Sequence, residues 1–317
     1  MIRIAIVGCK NMGRKHFNVI KTHFNEQATV VGILNSSKES TEKTASELGV
    51  TAFESFDDIT KDSVDAVIVA TPAENHYSTT LKLLKKRIPT LVEKPFASNV
   101  DECNILRKMA EDNNVPLLVG HTENYNPAVE KMLNMIQRPV KSIKAIRTSC
   151  NPGFKDTHIV SELMIHDLAI VNSLMSDAPT KTSICKDSKY RWDEHAIVET
   201  EYASGTTVCL EAVRADVAVE RNMSIIDNNN DMYEISFYDR KLKRNGQLIP
   251  CVGDSLQSEI QDFLNMVQTG AKPKVSLEEA CKNVEICNRL EILSSESEKA
   301  HALGKVMSGA RKYNGLG

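Results

Sequence analysis

Over its first 120 residues the chain repeats one pattern, a short unbroken apolar run followed by a stretch of helical periodicity. Strands without polar alternation are buried on both faces, and those separated by helices lie parallel, because each helix carries the chain back along the sheet. The pattern predicts strands at Ile2–Val7, Thr29–Leu34, Val50–Phe53, Ala66–Ala70, Thr90–Glu93 and Leu117–Gly120. Helices are expected at Met12–Thr22, Ser37–Leu48, His76–Lys86 and Val100–Asn113. Beyond Gly120 the period changes to the alternation of antiparallel strands, at Val140–Cys150, Ala196–Tyr202, Thr206–Ala215, Asn222–Ile226 and Met232–Tyr238. Asp227-Asn228-Asn229-Asn230 reads as a hairpin turn. Glu162–Leu174 reads as a helix within this region, and Ser255–Thr269 and Ser276–Lys299 as a helical tail. The expected fold is an α/β nucleotide-binding domain over residues 1–121 and an α+β domain on a mostly antiparallel open sheet over residues 122–317. The last residues, Asn314–Gly317, are expected to fray.

Bulk properties narrow the function classes. A chain of 317 residues can bury two cores. A formal net charge of -3 gives no electrostatic case for nucleic acid or an anionic membrane. No apolar run approaches the roughly 20 residues that span a bilayer. The first strand begins at residue 2, which leaves no room for a signal peptide, and the 8 cysteines are scattered without a Cys-x-x-Cys pair. Reduced thiols in the cytoplasm are the expectation. No His, Cys and carboxylate spacing suggests a metal site, so none is expected.

Gly8-Cys9-Lys10-Asn11-Met12-Gly13 stands between the first strand and the first helix, where a Rossmann fingerprint belongs. There the first glycine makes a tight turn, the second lets backbone approach a pyrophosphate, and the third lets helix pack on strand. Gly8 and Gly13 are in place, but Lys10 holds the middle position. Either Lys10 points outward and its ammonium meets the pyrophosphate, or cofactor binding has weakened or been lost. The strand–turn–helix context favours retained binding, since helix N-termini bind phosphate. After strand two, Asn35-Ser36-Ser37-Lys38 replaces the carboxylate that usually receives the adenosine ribose, so NAD and NADP both remain open. Ser36 or Ser37 could equally cap the next helix. Thr71 and Pro72 form a turn at the same sheet edge, and His76 either lines the nicotinamide ribose or packs. Glu93-Lys94-Pro95 ends the fifth strand, with Lys94 set where ligands of open α/β sheets sit.

Together these stretches resemble the glucose–fructose oxidoreductase, inositol dehydrogenase and MocA family of NAD(P)-dependent dehydrogenases. The matching pieces are Gly8…Met12-Gly13-Arg14-Lys15-His16, Thr71-Pro72…His76, Glu93-Lys94-Pro95, Val119-Gly120-His121…Tyr125-Asn126-Pro127-Ala128 and Leu163-Met164-Ile165-His166-Asp167. Within the family, the stretches around His121 and His166 look most like UDP-N-acetylglucosamine 3-dehydrogenases, which oxidise a sugar 3-hydroxyl to a ketone. The chain departs from the family at Lys10, at Asn124 where Arg is frequent, at Glu162 where Asp is usual, and at Ala169 where a second Asp is common.

The resemblance implies oxidation of a secondary alcohol, which needs a hydride acceptor, a base and a stabiliser of the developing alkoxide. Lys94, His166 and Glu162 are the catalytic candidates. His166 would take the proton, Lys94 would hold the same oxygen, and Glu162, four residues earlier on one helix face, would orient the imidazole or hold a sugar hydroxyl. Tyr125 would bond substrate or shape its turn, and His121 would approach the nicotinamide or pack. Asp167 and His195 read as structural. Arg14, Lys15, Arg147 and Lys155 are candidates for a diphosphate. The leading expectation is a cytoplasmic homodimer or homotetramer that oxidises C3 of a UDP-linked aminosugar. The alternatives are a dehydrogenase for inositol, a free sugar or a sugar phosphate, and a non-catalytic Rossmann-fold binding or regulatory protein.

Overall fold

The computed structural model describes residues 1–150, 158–187, 189–191 and 193–313, with side chains as far as Glu298. The chain forms two compact units, Met1–Glu130 with Val252–Glu285, and Lys131–Cys251 with Ile286–Gly317. The sequence reading drew one boundary after residue 121. The units instead divide near Glu130, and a later segment returns to the first of them.

The first unit alternates strand and helix: β1 (Ile2–Val7), α1 (Asn11–His23), β2 (Ala28–Leu34), α2 (Lys38–Leu48), β3 (Thr51–Ala52), β4 (Ala66–Val69), α3 (His76–Lys85), β5 (Thr90–Glu93), α4 (Val100–Asp112) and β6 (Leu117–Gly120). Its sheet has the order β3-β2-β1-β4-β5-β6 with all pairs parallel. Alternate residues of β1 feed opposite cores. Ile4 and Ile6 pack with Phe17 and Ile20 of α1, while Ala5 and Val7 pack with Leu83 and Leu84 of α3 and Leu106 of α4. Fully burying an Ile or Leu stabilises by roughly 1.5–3 kcal/mol, which is why both faces must be covered. The later segment explains the return of the chain. Residues Ile260, Phe263 and Leu264 of α7 (Ser255–Thr269) complete the core on the α1 side, and Ala280 and Val284 complete the other.

The division falls within α5 (Pro127–Leu133), and the second unit continues with β7 (Ser142–Ser149), a π-helical turn over Val160–Met164, and α6 (Ile165–Leu174). Seven strands then follow: β8 (Pro179–Cys185), β9 (His195–Tyr202), β10 (Thr207–Arg214), β11 (Arg221–Ile226), β12 (Met232–Ser236), β13 (Lys241–Arg244) and β14 (Gln247–Ile249). The sheet order is β14-β13-β12-β11-β7-β10-β9-β8, antiparallel throughout except for the parallel pair β7–β10. The last helix is α8 (Leu277–Tyr313). The two-sheet architecture is the expected one, with β8, β13 and β14 as additions at the edges. Lys155 and Asn314–Gly317 lie outside the described residues. No helix among the described residues is long and apolar enough to cross a membrane.

Candidate active site

A parallel sheet places the ends of all its strands on one edge, so Gly8, Thr71, Glu93-Lys94 and His121 follow β1, β4, β5 and β6 on the same side. Gly8 has φ +90, and a Cβ there would lie 2.6 Å from backbone atoms of Ala70 and Thr71. At Gly13 a Cβ would lie 2.5 Å from the Gly8 carbonyl oxygen. These two positions accept no side chain, as a turn that brings backbone close to a pyrophosphate requires. Lys10 is exposed at the N-cap of α1, and its side chain makes no capping bond to the helix end at Asn11, Met12 and Gly13. Leading N–H groups of a helix have no intrahelical acceptor and attract phosphate. The residues present therefore fit a dinucleotide, and the middle-position lysine does not fill the turn.

The end of β2 differs from its expected role. Asn35 Oδ1 accepts from the Cys9 N–H at 2.7 Å, and Asn35 Nδ2 donates to the Ser40 carbonyl at 3.2 Å. Its side chain thus pins the glycine turn to the start of α2 and is already engaged on both ends. Ser37 caps α2 by accepting from the Ser40 N–H at 3.2 Å, the capping alternative of the sequence reading. Ser36, Ser37 and Lys38 are exposed, and Lys38 pairs with Glu42 at 3.7 Å.

His76 is buried, and its ring nitrogens meet the Pro95 carbonyl at 2.7 Å and the Thr71 carbonyl at 2.8 Å. It ties the end of β4 to the Glu93-Lys94-Pro95 segment, so its polar atoms serve the frame. Lys94 is half-buried beside this strut. His121 is buried with Nε2 3.4 Å from Asn283 Nδ2. Burial first, and then the Lys94 charge, push its imidazole down to about 4. It is a neutral ring at ordinary pH. Tyr125 is also buried, and its hydroxyl donates to Asp262 of α7 at 2.8 Å, so it anchors α7 rather than presenting a free hydroxyl.

One grouping was invisible in the sequence. His16 Nε2 lies 2.7 Å from Glu93 Oε1, and Glu259 of α7 joins them, with donor atoms of all three within 4.8 Å of one another. All three side chains are buried. Burial pushes the Glu93 carboxyl up, but the His16 hydrogen bond and the Lys94 charge outweigh it and leave it below its usual range. Burial and the neighbouring Glu93 charge hold the Glu259 carboxyl well above that range.

In the second unit, Glu162 and His166 do not share one regular helix turn. Glu162 lies in the π turn, where the Ile165 N–H reaches back to the Val160 carbonyl, while His166 lies in α6. An i→i+5 turn holds more residues than an α turn, so the i, i+4 argument made for a regular helix does not carry over to this pair. Glu162 is instead ion-paired with Arg214 of β10 at 3.0 Å. His166 is half-buried. Asp167 is buried and takes two bonds from Arg147 of β7, each 2.9 Å. Arg147, itself 1 % exposed and stacked 5.0 Å from the Phe237 ring centre, is thus removed from the diphosphate candidates. Arg14 likewise pairs with Glu47. His195 is buried between the Asp187 N–H at 3.0 Å and Glu211 at 2.9 Å, a structural position as expected.

Residues 2–121 match the oxidoreductase family model with an NAD-binding Rossmann fold. The chain is 25% identical to the UDP-N-acetylglucosamine 3-dehydrogenase of Acidithiobacillus ferrooxidans, over 84% of this chain and 88% of that protein. A crystal structure of that enzyme superposes with a TM-score of 0.85 at 22% identity, covering 92% of this chain and 97% of that one. An inositol 2-dehydrogenase of Mycolicibacterium smegmatis is 27% identical over 56% of this chain and 53% of its own length. GenD2 from gentamicin A biosynthesis, solved in complex with NAD, shares the fold with a TM-score of 0.79 at 15% identity, over 93% of this chain and 95% of that one. The non-catalytic alternative rested on Lys10 and Ala169, and Lys10 leaves the turn at Gly8 and Gly13 intact. This chain is an NAD(P)-dependent oxidoreductase acting on CH–OH groups, and its residues 2–121 match the NAD-binding Rossmann domain of the glucose–fructose oxidoreductase, inositol dehydrogenase and MocA family.

Proposed function

We propose that the chain oxidises a secondary hydroxyl of a sugar, at C3 of a UDP-linked aminosugar such as UDP-N-acetylglucosamine. The observation that carries this reading is the extent of the likeness. The UDP-N-acetylglucosamine 3-dehydrogenase is matched over 84% of the chain, whereas the inositol 2-dehydrogenases it resembles are matched over 53% to 69%.

When bound, the nicotinamide supplies a carbon that accepts hydride. Gly8 and Gly13 shape the turn for the pyrophosphate, with Lys10, Asn11 and Met12 at the helix end. Lys94 donates to the reacting hydroxyl oxygen and favours its anionic form. His166 takes the hydroxyl proton. Glu162, with its charge shared with Arg214, holds a sugar hydroxyl rather than the imidazole. The exposed Ser36, Ser37 and Lys38 can receive a ribose phosphate or leave a ribose unmodified, so the preference between NAD and NADP is relaxed. The 8 cysteines are free thiols, which suits a reducing compartment such as the cytoplasm. The half-exposed outer face of the second sheet, which includes Ile146, Cys209 and Ser224, suits self-association as a homodimer or homotetramer.

Lys94→Met tests the role assignment. Turnover should vanish while NAD(P) affinity stays within a few fold. An activity loss explained wholly by weaker cofactor binding would make Lys94 a cofactor residue instead. Thermal-shift screening tests the substrate. UDP-N-acetylglucosamine should stabilise more than free N-acetylglucosamine, and a larger shift with inositol or a free hexose would favour the inositol and free-sugar reading.

A further inference from the structure

The first unit holds buried titratable groups that this chemistry does not use. His16 lies on the inner face of α1, Glu93 closes β5 directly before Lys94, and Glu259 lies on α7, with exposures of 0%, 7% and 0%. His16 bonds Glu93 at 2.7 Å. Neither Glu259 oxygen has a hydrogen-bond partner of ordinary geometry, although the Thr122 hydroxyl beside it gives the charged form some help. A buried polar group left unsatisfied destabilises the fold, and a Leu or Met of similar volume would avoid that cost. A carboxyl kept here weakens the fold, so its use lies elsewhere. What it adjoins is the carboxylate that immediately precedes Lys94.

We propose that His16 and Glu259 are positioning residues for Lys94, acting through Glu93: His16 from α1 and Glu259 from α7 hold the Glu93 carboxylate in one place and in its charged form beside the Lys94 ammonium. Two adjacent carboxyls share one proton more readily than they carry two charges. Glu259 is the member that keeps the proton, being pushed up by burial and by Glu93, and its carboxyl oxygen, the His16 ring nitrogen and the Glu93 carboxyl oxygen lie within 4.8 Å of one another. Glu93 keeps its charge because His16 bonds it and Lys94 attracts it. Lys94 is thereby held as a cation at the strand end, with its charge balanced from behind.

The inference rests on the assignment of Lys94 to the reaction, so its test includes a readout independent of turnover. Competitive acylation with acetic anhydride, followed by mass spectrometry of the Lys94 peptide, reports how much of that amine is free. Glu259→Leu removes the proton-bearing carboxyl beside Glu93, which then takes up a proton more readily and stops stabilising the ammonium. Acylation of Lys94 should rise about tenfold, the change expected for about 1.4 kcal/mol of lost charge stabilisation. The melting temperature should stay level or rise, and kcat with UDP-N-acetylglucosamine and NAD⁺ should fall by at least about tenfold with KM for NAD⁺ little changed. Glu259→Gln, which keeps a neutral donor, should restore both labelling and kcat. Glu259→Met carries the same expectation as Leu should the latter not fold. Unchanged Lys94 labelling in Glu259→Leu or Glu259→Met would overturn the inference. So would a rise in wild-type melting temperature with Zn²⁺ or Mn²⁺ that Glu259→Gln abolishes, since it would assign the cluster to a cation. If Lys94→Met retains activity, the functional reading fails; if Lys94→Met is inactive while Glu259→Leu matches wild type, this inference alone fails.

Discussion

Asp167 follows His166 directly, and whether it belongs to the chemistry or to the scaffold can be decided by one substitution. Asp167→Asn keeps the shape of the side chain and removes its charge. In the structure Asp167 takes two bonds of 2.9 Å from Arg147, and the two side chains are only 2% and 1% exposed. Removing the carboxylate leaves the Arg147 guanidinium buried under the Phe237 ring without its counter-charge. Breaking one partner of such a pair costs about 3–5 kcal/mol, a large part of the roughly 5–15 kcal/mol that stabilises a typical domain. In melting temperature this corresponds to on the order of 10 °C. The double substitution Arg147→Met with Asp167→Leu removes both charges and should recover most of the loss, because an apolar pair needs no compensation. The assay is urea unfolding followed by circular dichroism, with kcat measured well below each midpoint. An Asp167→Asn protein that loses less than about 1 kcal/mol yet loses turnover would refute the scaffold role.

Other outcomes follow from the same geometry. His121 is held neutral, with its imidazole down at about 4 against the ordinary 6.5. The unfolded chain therefore binds a proton that the folded one refuses. Stability from this residue is fully present above pH 6.5 and is lost as pH falls toward about 4, by about 3 kcal/mol. His121→Gln should flatten that part of the acid-stability curve, and an unchanged curve would show that other groups set it. NAD and NADP should bind within about tenfold of each other, and a hundredfold preference in titration would contradict the reading of Ser36, Ser37 and Lys38. If His166 is the base, oxidation should rise with pH and level off, and His166→Asn should remove that limb while lowering kcat by roughly 10²–10⁴. A profile unchanged in His166→Asn would move the proton to Lys94.

The legible parts of the fold were those whose sequence period matches their burial. β1, β4 and β5 lie in the sheet interior and β6 at a covered edge, and all four are buried, so their unbroken apolar runs could be read as such. β8 and β13 could not. Thr180-Lys181-Thr182-Ser183 and Lys241-Leu242-Lys243-Arg244 are largely exposed, and a strand at or near a sheet edge carries charge that hides its period. The π turn at Val160–Met164 gave no signal because neither Gly nor Pro marks it, so Glu162 and His166 read as one regular helix turn. Glu162 found Arg214 instead, far along the chain. The glycine turn and the Glu93-Lys94-Pro95 segment were readable because strand, turn and helix there are local. The His16–Glu93–Glu259 cluster was not, since its members come from three separate elements and meet only after α7 returns to the first unit. The sequence also left His76 and Tyr125 open between ligand and frame, and read Asn35 at the ribose end of the cofactor. Their bonds to Cys9, to the Thr71 and Pro95 carbonyls, and to Asp262 place them in the frame.

The measurement closest to the central claim is the absorbance of reduced nicotinamide when the purified protein is mixed with UDP-N-acetylglucosamine and NAD⁺ or NADP⁺, run beside inositol, free hexoses and sugar phosphates. The account predicts reduction with the UDP-sugar, formation of a ketone at C3 that mass spectrometry and NMR can identify, and loss of both in Lys94→Met. Reduction with inositol or a free sugar and none with any UDP-sugar would contradict it.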